Sequence, residues 1–205
     1  MAIKHRILIA KSLRHTNLIL NHKGFLSKDI IGKYNTVEIK KGSRVNHLKI
    51  RIRGNNNTLV INNNCVFGTE CSIWMEGDGI RVIIGEGCTF TTRCHINAQE
   101  NGSIIDIGSD CMFSNHIIVR TSDSHPIYNL GTNQRINEPE PVEIGDHVWI
   151  APNTKIMKGA VIPNGSIIGS DTTVSKKFTE TNTLIVGRPA KVVRCNVNWT
   201  REKLF

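Results

Sequence analysis

The chain has 205 residues, enough for one domain, and its 39% apolar and 21% charged content provides for a packed core and excludes wholesale disorder. A formal charge of +9 raises the question of nucleic acid, yet the basic residues are dispersed and no aromatic-interleaved basic stripe occurs, so anionic small molecules or anionic polymers are the better match. No apolar stretch approaches the roughly 18 residues of a membrane span.

The opening MAIKHRILIAKSLRHTNLIL breaks its apolar runs with Lys4, Lys11, Arg14 and His15, too often for a secretory signal. Residues 1–35 are read as an N-terminal capping segment, and a cytoplasmic protein is expected. An amphipathic helix resting on a membrane is the alternative for this stretch, so peripheral membrane contact stays open.

Residues 36–60 carry a weak first repeat in Val37, Ile39, Val45, Ile50 and Ile52. The repeat then becomes explicit. INNNCVFGTECSI, IGEGCTFTTRCHI and IGSDCMFSNHIIV begin at residues 61, 84 and 107, which aligns Cys65, Cys88 and Cys111 and likewise Phe67, Phe90 and Phe113. Inside each copy runs a period of six, Ile84, Phe90, Ile96, and it returns as Ile144, Ile150, Ile156, Ile162, Ile168 and Val174. A period of six fits neither a 3.6-residue helix nor an alternating strand. It fits a solenoid whose six-residue unit supplies one short strand and one corner, three units per 18-residue coil. The 23-residue copies are then coils with five extra residues at a corner.

This pattern resembles the hexapeptide-repeat acyltransferases, which implies an all-β fold, a left-handed parallel β-helix. The handedness comes from the resemblance, since parallel crossovers are normally right-handed. The β-helix domain is expected over 36–178 with a loop at 120–143, and a closing strand and tail over 179–205, with a short helix as one reading of NVNWTREKLF. No C-x-x-C pair exists, and the spacing of Cys65, Cys71, Cys88, Cys94 and Cys111 follows the hexad, so these thiols are read as ladder residues rather than metal ligands or disulfides. A β-helix hydratase would gather three histidines on zinc, with His95, His116, His125 and His147 as candidates. Their spacing does not follow that family's pattern, and no metal is expected.

Between Val119 and Ile144 the ladder is interrupted by a segment holding SDSHPIY, residues 122–128. A solenoid gains no core from such an insertion, which points to function. His125 is the candidate general base. The segment, followed by the coil IGDHVWIA with Trp149 24 residues beyond His125, resembles the sialic-acid and capsular-polysaccharide O-acetyltransferases, and is similar to the galactoside and maltose acetyltransferases. The resemblance implies acetyl transfer from acetyl-CoA to a hydroxyl of a surface glycan, polysialic acid or another acidic sugar included, in a homotrimer with sites at its subunit interfaces. A neutral imidazole accepts the hydroxyl proton as the oxygen attacks the thioester.

By the same resemblance Trp149 lies beside the thioester with its backbone N–H facing the oxyanion. Ala151, Gly169, Ser170, Ser175, Lys176, Arg188 and Lys191 then meet CoA, while Asp123 and Tyr128 meet the acceptor. What orients His125 is left between Asp123 and a backbone carbonyl. Two other readings share the fold: an N-acetyltransferase acting on an amino-sugar nucleotide, and a β-helix binding module without catalysis.

Overall fold

A computed structural model describes residues 18–20 and 27–204, with side chains from residue 29 onward. The expected capping or amphipathic role of residues 1–17 lies outside the described residues. Three seven-stranded sheets form the faces of a prism, and the chain visits them in rotation. Sheet A begins at Leu18–Leu20 and ends at Val161–Ile162, sheet B runs from Ser27–Ile31 to Thr173–Val174, and sheet C from Val66–Phe67 to Lys191–Arg194. Every pairing is parallel except the last, where Lys191–Arg194 runs antiparallel to Leu184–Val186 and closes sheet C. This is the parallel solenoid that the hexads imply, and a left-handed β-helix as the resemblance implies. Among the described residues no helix is long and apolar enough to cross a membrane.

The period of six becomes a vertical stack. Ile61, Ile84, Ile107, Ile144 and Ile162 are in direct register in sheet A, all buried. In sheet C, Phe67, Phe90 and Phe113 stack with ring centroids 4.4 Å apart at each step. That spacing falls a little short of the distance between paired strands, so each ring lies flat on the next. The cysteines fill the narrow inner corners. The thiols of Cys65, Cys88 and Cys94 each donate to a carbonyl of the following coil, at Gly85, Gly108 and Ser114, at 3.0 Å. Contact with the neighbouring thiol and then burial push Cys88 up to about 12, and the same two causes raise Cys65 and Cys94. Such thiols are inert packing groups.

Corner residues adopt positive φ at repeating positions, among them Glu70, Arg93 and His116 (58°, 53°, 58°) and the pair Asp110 and His147 (56° and 53°). Two of the histidines weighed for zinc are therefore turn residues. A third, His95, lies in sheet B with Nδ1 2.8 Å from the Ser72 hydroxyl.

Three features differ from the sequence expectation. Strand pairing starts before residue 36, because Leu18–Leu20 and Ser27–Ile31 already stack on the first coil. The five extra residues of the longer coils do not bulge at a corner. They lengthen strands, from two residues to five in sheet B (Lys155–Ile156 against Ser72–Glu76) and from two to four in sheet A (Val161–Ile162 against Arg81–Ile84). In-line residues gain ladder hydrogen bonds that a bulge would forfeit. The solenoid is thus broad at its N-terminal end and narrow at its C-terminal end. Thirdly, the tail is not helical: residues 195–204 run back along sheet C in an extended path.

The Phe ladder offers a direct test. Phe90→Ala removes the middle ring of a stack in which both neighbours are fixed, and should cost about 3–5 kcal/mol. Urea unfolding should show this as a lower midpoint, and a loss under 1 kcal/mol would mean that the coils close over the gap.

Candidate active site

The interrupting segment leaves sheet B after Arg120, at the step between the broad and the narrow coils. It is an ordered structure rather than a loose loop. Ile136 N donates to Ile127 O and Asn129 N to Gln134 O, both at 2.9 Å, which makes residues 127–136 a short hairpin. Its apolar residues Ile127, Tyr128, Leu130 and Ile136 face outward, Leu130 with complete exposure.

The buried side chain of Asn137, 7% exposed, grips the base of this hairpin from both sides of His125. Its Nδ2 donates to the His125 carbonyl at 2.9 Å and to Asp123 Oδ2 at 3.0 Å, and its Oδ1 accepts from the Ile127 N–H at 2.7 Å. Lys158, from the next coil, donates to Asp123 Oδ2 at 2.7 Å and to the Glu138 carbonyl at 3.1 Å. Lys158 and then Asn137 hold the Asp123 carboxyl below its ordinary value. On the other side Arg120 Nε donates to Ser122 O at 2.8 Å and its Nη2 to Ser124 Oγ at 2.7 Å. Arg135 forks onto Glu100 at 2.6 and 2.8 Å, which depresses the Glu100 carboxyl. Ser122 Oγ bonds the same carboxylate.

The outcome is a fixed backbone at 123–127 presenting an exposed His125 imidazole that makes no hydrogen bond among the described residues. Asp123 makes neither a hydrogen bond nor an ion pair with that ring. It is committed to Lys158 and Asn137, and it reaches His125 only through the backbone that Asn137 holds. Tyr128 is exposed on the hairpin, its backbone bridged to Arg135.

Trp149 sits elsewhere, facing outward from sheet C between Met112 and Ile167. The expectation that its backbone N–H faces an oxyanion is not met: that N–H donates to Ser166 O at 3.0 Å as part of the ladder. A strand interior leaves no backbone donor free. The indole N–H is buried without a partner, and the tail covers this region. Trp199, 5% exposed, stacks on His147 at 4.2 Å, donates its indole N–H to His147 O at 2.9 Å and accepts at its own carbonyl from His147 Nε2 at 3.1 Å. Asp110 joins the latch, 2.7 Å from His147 Nδ1 and 2.8 Å from Arg201 Nε. Burial works to raise the Asp110 carboxyl, but the bonds to His147 and Arg201 hold it below its ordinary value.

The remaining nominated residues divide between two corners. Ala151, Gly169, Ser170 and Arg188 each follow a strand of sheet C, in successive coils of one corner, and Lys191 opens the closing strand of that sheet. Arg188 is paired with Asp171, Nη2 to Oδ1 at 3.2 Å. At Gly169 an added Cβ would lie 2.6 Å from Val186 Cγ1, so close coil packing already requires glycine there. Ser175 and Lys176 follow sheet B and lie on the corner from which the His125 segment departs. Lys176 Nζ is exposed, 5.1 Å from the Phe178 ring centroid. His125, Ser175 and Lys176 are thus on one edge of the prism, and Trp149 with the others on another.

Sequence reasoning missed Asn137, Lys158, Arg120 and Trp199. The first three act by bonds to residues up to 35 positions away, which no local pattern announces. Because the Asp123 and Glu100 carboxyls are depressed, the stability that they lend the segment is present above the ordinary carboxylate pKa and is lost as pH falls through the lowered values. Amide exchange, corrected for intrinsic rates, should show residues 122–138 protected at neutral pH and released in strong acid before the ladder amides. Asn137→Ala should release the same amides at neutral pH, because three buried bonds lose their partner at about 1–3 kcal/mol each. Loss of the ladder and the segment together would show that the segment is not separately anchored.

Comparison with known proteins agrees with this architecture. Residues 141–176 match the family described as bacterial transferase hexapeptide (six repeats). Over 62 residues the chain is 36% identical to WbbJ of Escherichia coli (strain K12), named as a lipopolysaccharide biosynthesis O-acetyl transferase, a match covering 30% of this chain and 31% of that protein. The chain therefore aligns with about a third of the length of the curated relatives it matches. Two crystal structures are similar over far more. The polySia-specific acetyltransferase NeuO is 28% identical with a TM-score of 0.78, across 92% of this chain and 80% of that one. The polysialic acid O-acetyltransferase OatWY is 32% identical with a TM-score of 0.61, across 89% of this chain and 93% of that one. Given that extent of identity and the hexad ladder on both sides of the His125 segment, the chain belongs to the hexapeptide-repeat acetyltransferase family.

Proposed function

We propose that this protein is an acetyl-CoA-dependent O-acetyltransferase acting on a hydroxyl of a surface glycan. The observation that carries this is the His125 segment: a backbone clamped on both sides by one buried asparagine, presenting an imidazole with no hydrogen-bond partner among the described residues. A histidine needed only for packing would be buried or bonded. Placed beside an acceptor, the neutral ring takes the hydroxyl proton as the oxygen attacks the thioester carbonyl. The new C–O bond forms, the C–S bond breaks, and the proton passes to the CoA sulfur. No covalent acyl-enzyme is called for. The ladder thiols, Cys71 with its lowered value of about 7 included, are buried inside the coils where no substrate reaches them, and Cys195, though exposed, is held up by the neighbouring Glu180.

The division of the nominated residues between two edges supports a homotrimer. Within one chain no contact among the described residues joins His125 to Trp149. In a ring of copies the His125 edge of one subunit meets the sheet C edge of the next, and the exposed apolar hairpin around Leu130 supplies contact area. Small residues along the sheet C corner, Ala151 and Gly169, suit a pantetheine chain lying parallel to the solenoid axis. Lys191 at its far end, with Lys176 from the other edge, suits the phosphates. A cytoplasmic enzyme fits its cosubstrate. The glycan class rests on the positive net charge and on the relatives, whose names specify polysialic acid and lipopolysaccharide.

His125→Ala should lower kcat by ~10²–10⁴-fold while leaving circular dichroism and melting unchanged. Activity within a few-fold of the parent would remove His125 from the chemistry. For the phosphates, Lys176→Ala and Lys191→Ala should raise KM for acetyl-CoA more than they lower kcat, with the acceptor KM unmoved. The gap between parent and variant should narrow with a dephospho donor. Unchanged donor kinetics in both variants would exclude these two lysines as phosphate ligands.

A further inference from the structure

The three outer faces of the prism differ in chemistry. Sheet C faces outward with Val66, Met112, Trp149, Ile167 and Leu184, an apolar surface suited to a neighbouring subunit or to pantetheine. Sheet B is mostly polar outward, with more basic than acidic side chains (Lys49, Arg51, Arg53, Arg120 and Lys155 against Asp29 and Glu76), isoleucines at its borders (Ile31 and Ile118) and one aromatic residue. Trp74 stands out from the middle of its strand, 38% exposed, between inward-facing Ile73 and Met75. Register places Arg51, Trp74, Asn97 and Arg120 in one outward column across four adjacent strands, a span of roughly 14 Å at ordinary strand spacing. Three of these strands are lengthened ones of five residues and the fourth, Ile118–Arg120, has three, so the column runs from the broad coils to the step at which the His125 segment departs.

Each member has unused capacity. The Arg51 guanidinium lies 5.0 Å from the Trp74 ring centroid and 3.9 Å from Glu76, yet its Nε is buried with no hydrogen-bond partner. The Asn97 amide makes no side-chain bond among the described residues. Arg120 uses Nε and Nη2 to hold Ser122, Ser124 and Gln99, and its Nη1 has no hydrogen bond among the described residues. An exposed indole is a flat apolar platform for the C–H face of a sugar ring, and an arginine fork matches a carboxylate bidentately. The column ends at Arg120, which is itself bonded into the His125 segment five residues on. From the juxtaposition of Trp74, Arg51, Asn97 and Arg120 in one column leading to His125, we propose that sheet B is an extended acceptor subsite that binds the unreacted residues of an acidic polysaccharide. The assignment deepens the O-acetyltransferase reading and rests on it for the direction of the chain, but the binding itself does not require catalysis. The occupant is an acidic glycan and not a second copy, because the column is cationic and uncharged apolar area is confined to one ring.

Two measurements test it on the intact protein. The first is calorimetric binding of polysialic acid, polygalacturonate and hyaluronate without acetyl-CoA, with a neutral malto-oligosaccharide as control. At least one acidic polymer should bind, more weakly as salt rises, and Trp74→Ala and Arg51→Ala should each weaken it by about tenfold. The second is acetyl transfer with that polymer and with its monosaccharide. Both variants should raise the polymer KM by a similar factor and leave the monosaccharide constants and the acetyl-CoA KM unchanged. If none of the acidic polymers binds, or if both variants bind as the parent does, the subsite is excluded. Loss of the oligomer in Trp74→Ala by light scattering would identify the face as a subunit contact and overturn the proposal. Polymer binding that depends on Trp74, in a protein that transfers no acetyl group, would retain the subsite and refute the enzyme.

Discussion

The whole molecule depends on coil-to-coil backbone hydrogen bonding at a fixed strand spacing. Each coil donates to the one stacked on it, from Thr36 N to Asn57 O and onward to Thr173 N and Gly187 O. A side chain directed inward at one level therefore has an equivalent directly above and below it. That requirement explains why isoleucine sits on isoleucine and phenylalanine on phenylalanine, and why the inner corners take cysteine. A thiol is small enough for the corner and still has a weak donor for the carbonyl of the next coil. It also explains the inertness of the cysteines: the stacking that packs them keeps all five ladder thiols buried, out of reach of substrate.

The same constraint governs how the solenoid can depart from regularity. Strands may lengthen together, because a longer rung still pairs with a longer neighbour, and the N-terminal coils do this in sheets A and B. An excursion that cannot pair must find its bonds elsewhere. The His125 segment does so with side chains: Asn137, Lys158, Arg120 and the Arg135–Glu100 fork satisfy the polar groups that the ladder no longer reaches. Several of these bonds are charge-assisted, and they are shielded enough to shift the carboxyls involved, so they fix the backbone more firmly than isolated surface pairs do. Position is what a general base requires, and the scaffold supplies it through the main chain on either side of the histidine rather than through the ring.

The prism shape separates functions by face. Outward positions of a strand are free of the stacking requirement, so sheet C can be apolar and sheet B cationic while their inner positions remain alike. The tail adds a second departure, with Trp199 and Arg201 pinned to His147 and Asp110 beside the Trp149 strand. The placement of His125 and Trp149 on different edges follows from the order in which the chain visits the sheets, and it is the geometric reason to expect a site shared between copies.

The sequence by itself determined the fold and the place of its interruption. Residues that occupy identical environments repeat, so Cys65, Cys88 and Cys111 or Ile144, Ile150 and Ile156 are visible as a period before any coordinate is known. The hexads also made the cysteines legible as packing residues and marked His125 as lying outside the core. Only the tertiary structure decided what happens once. The triple grip of Asn137, the use of Asp123 by Lys158 and not by the histidine, and the closure of Trp199 on His147 are single contacts between distant residues and leave no periodic trace. The commitment of the Trp149 N–H to Ser166 was equally hidden, because hydrogen bonds between coils depend on register, which the inward side chains set and the outward ones do not report. The extra residues are expected at a corner, and not in the strands, for the same reason. A count of residues per coil fixes how many are extra, while the pairing of neighbouring rungs fixes where they go.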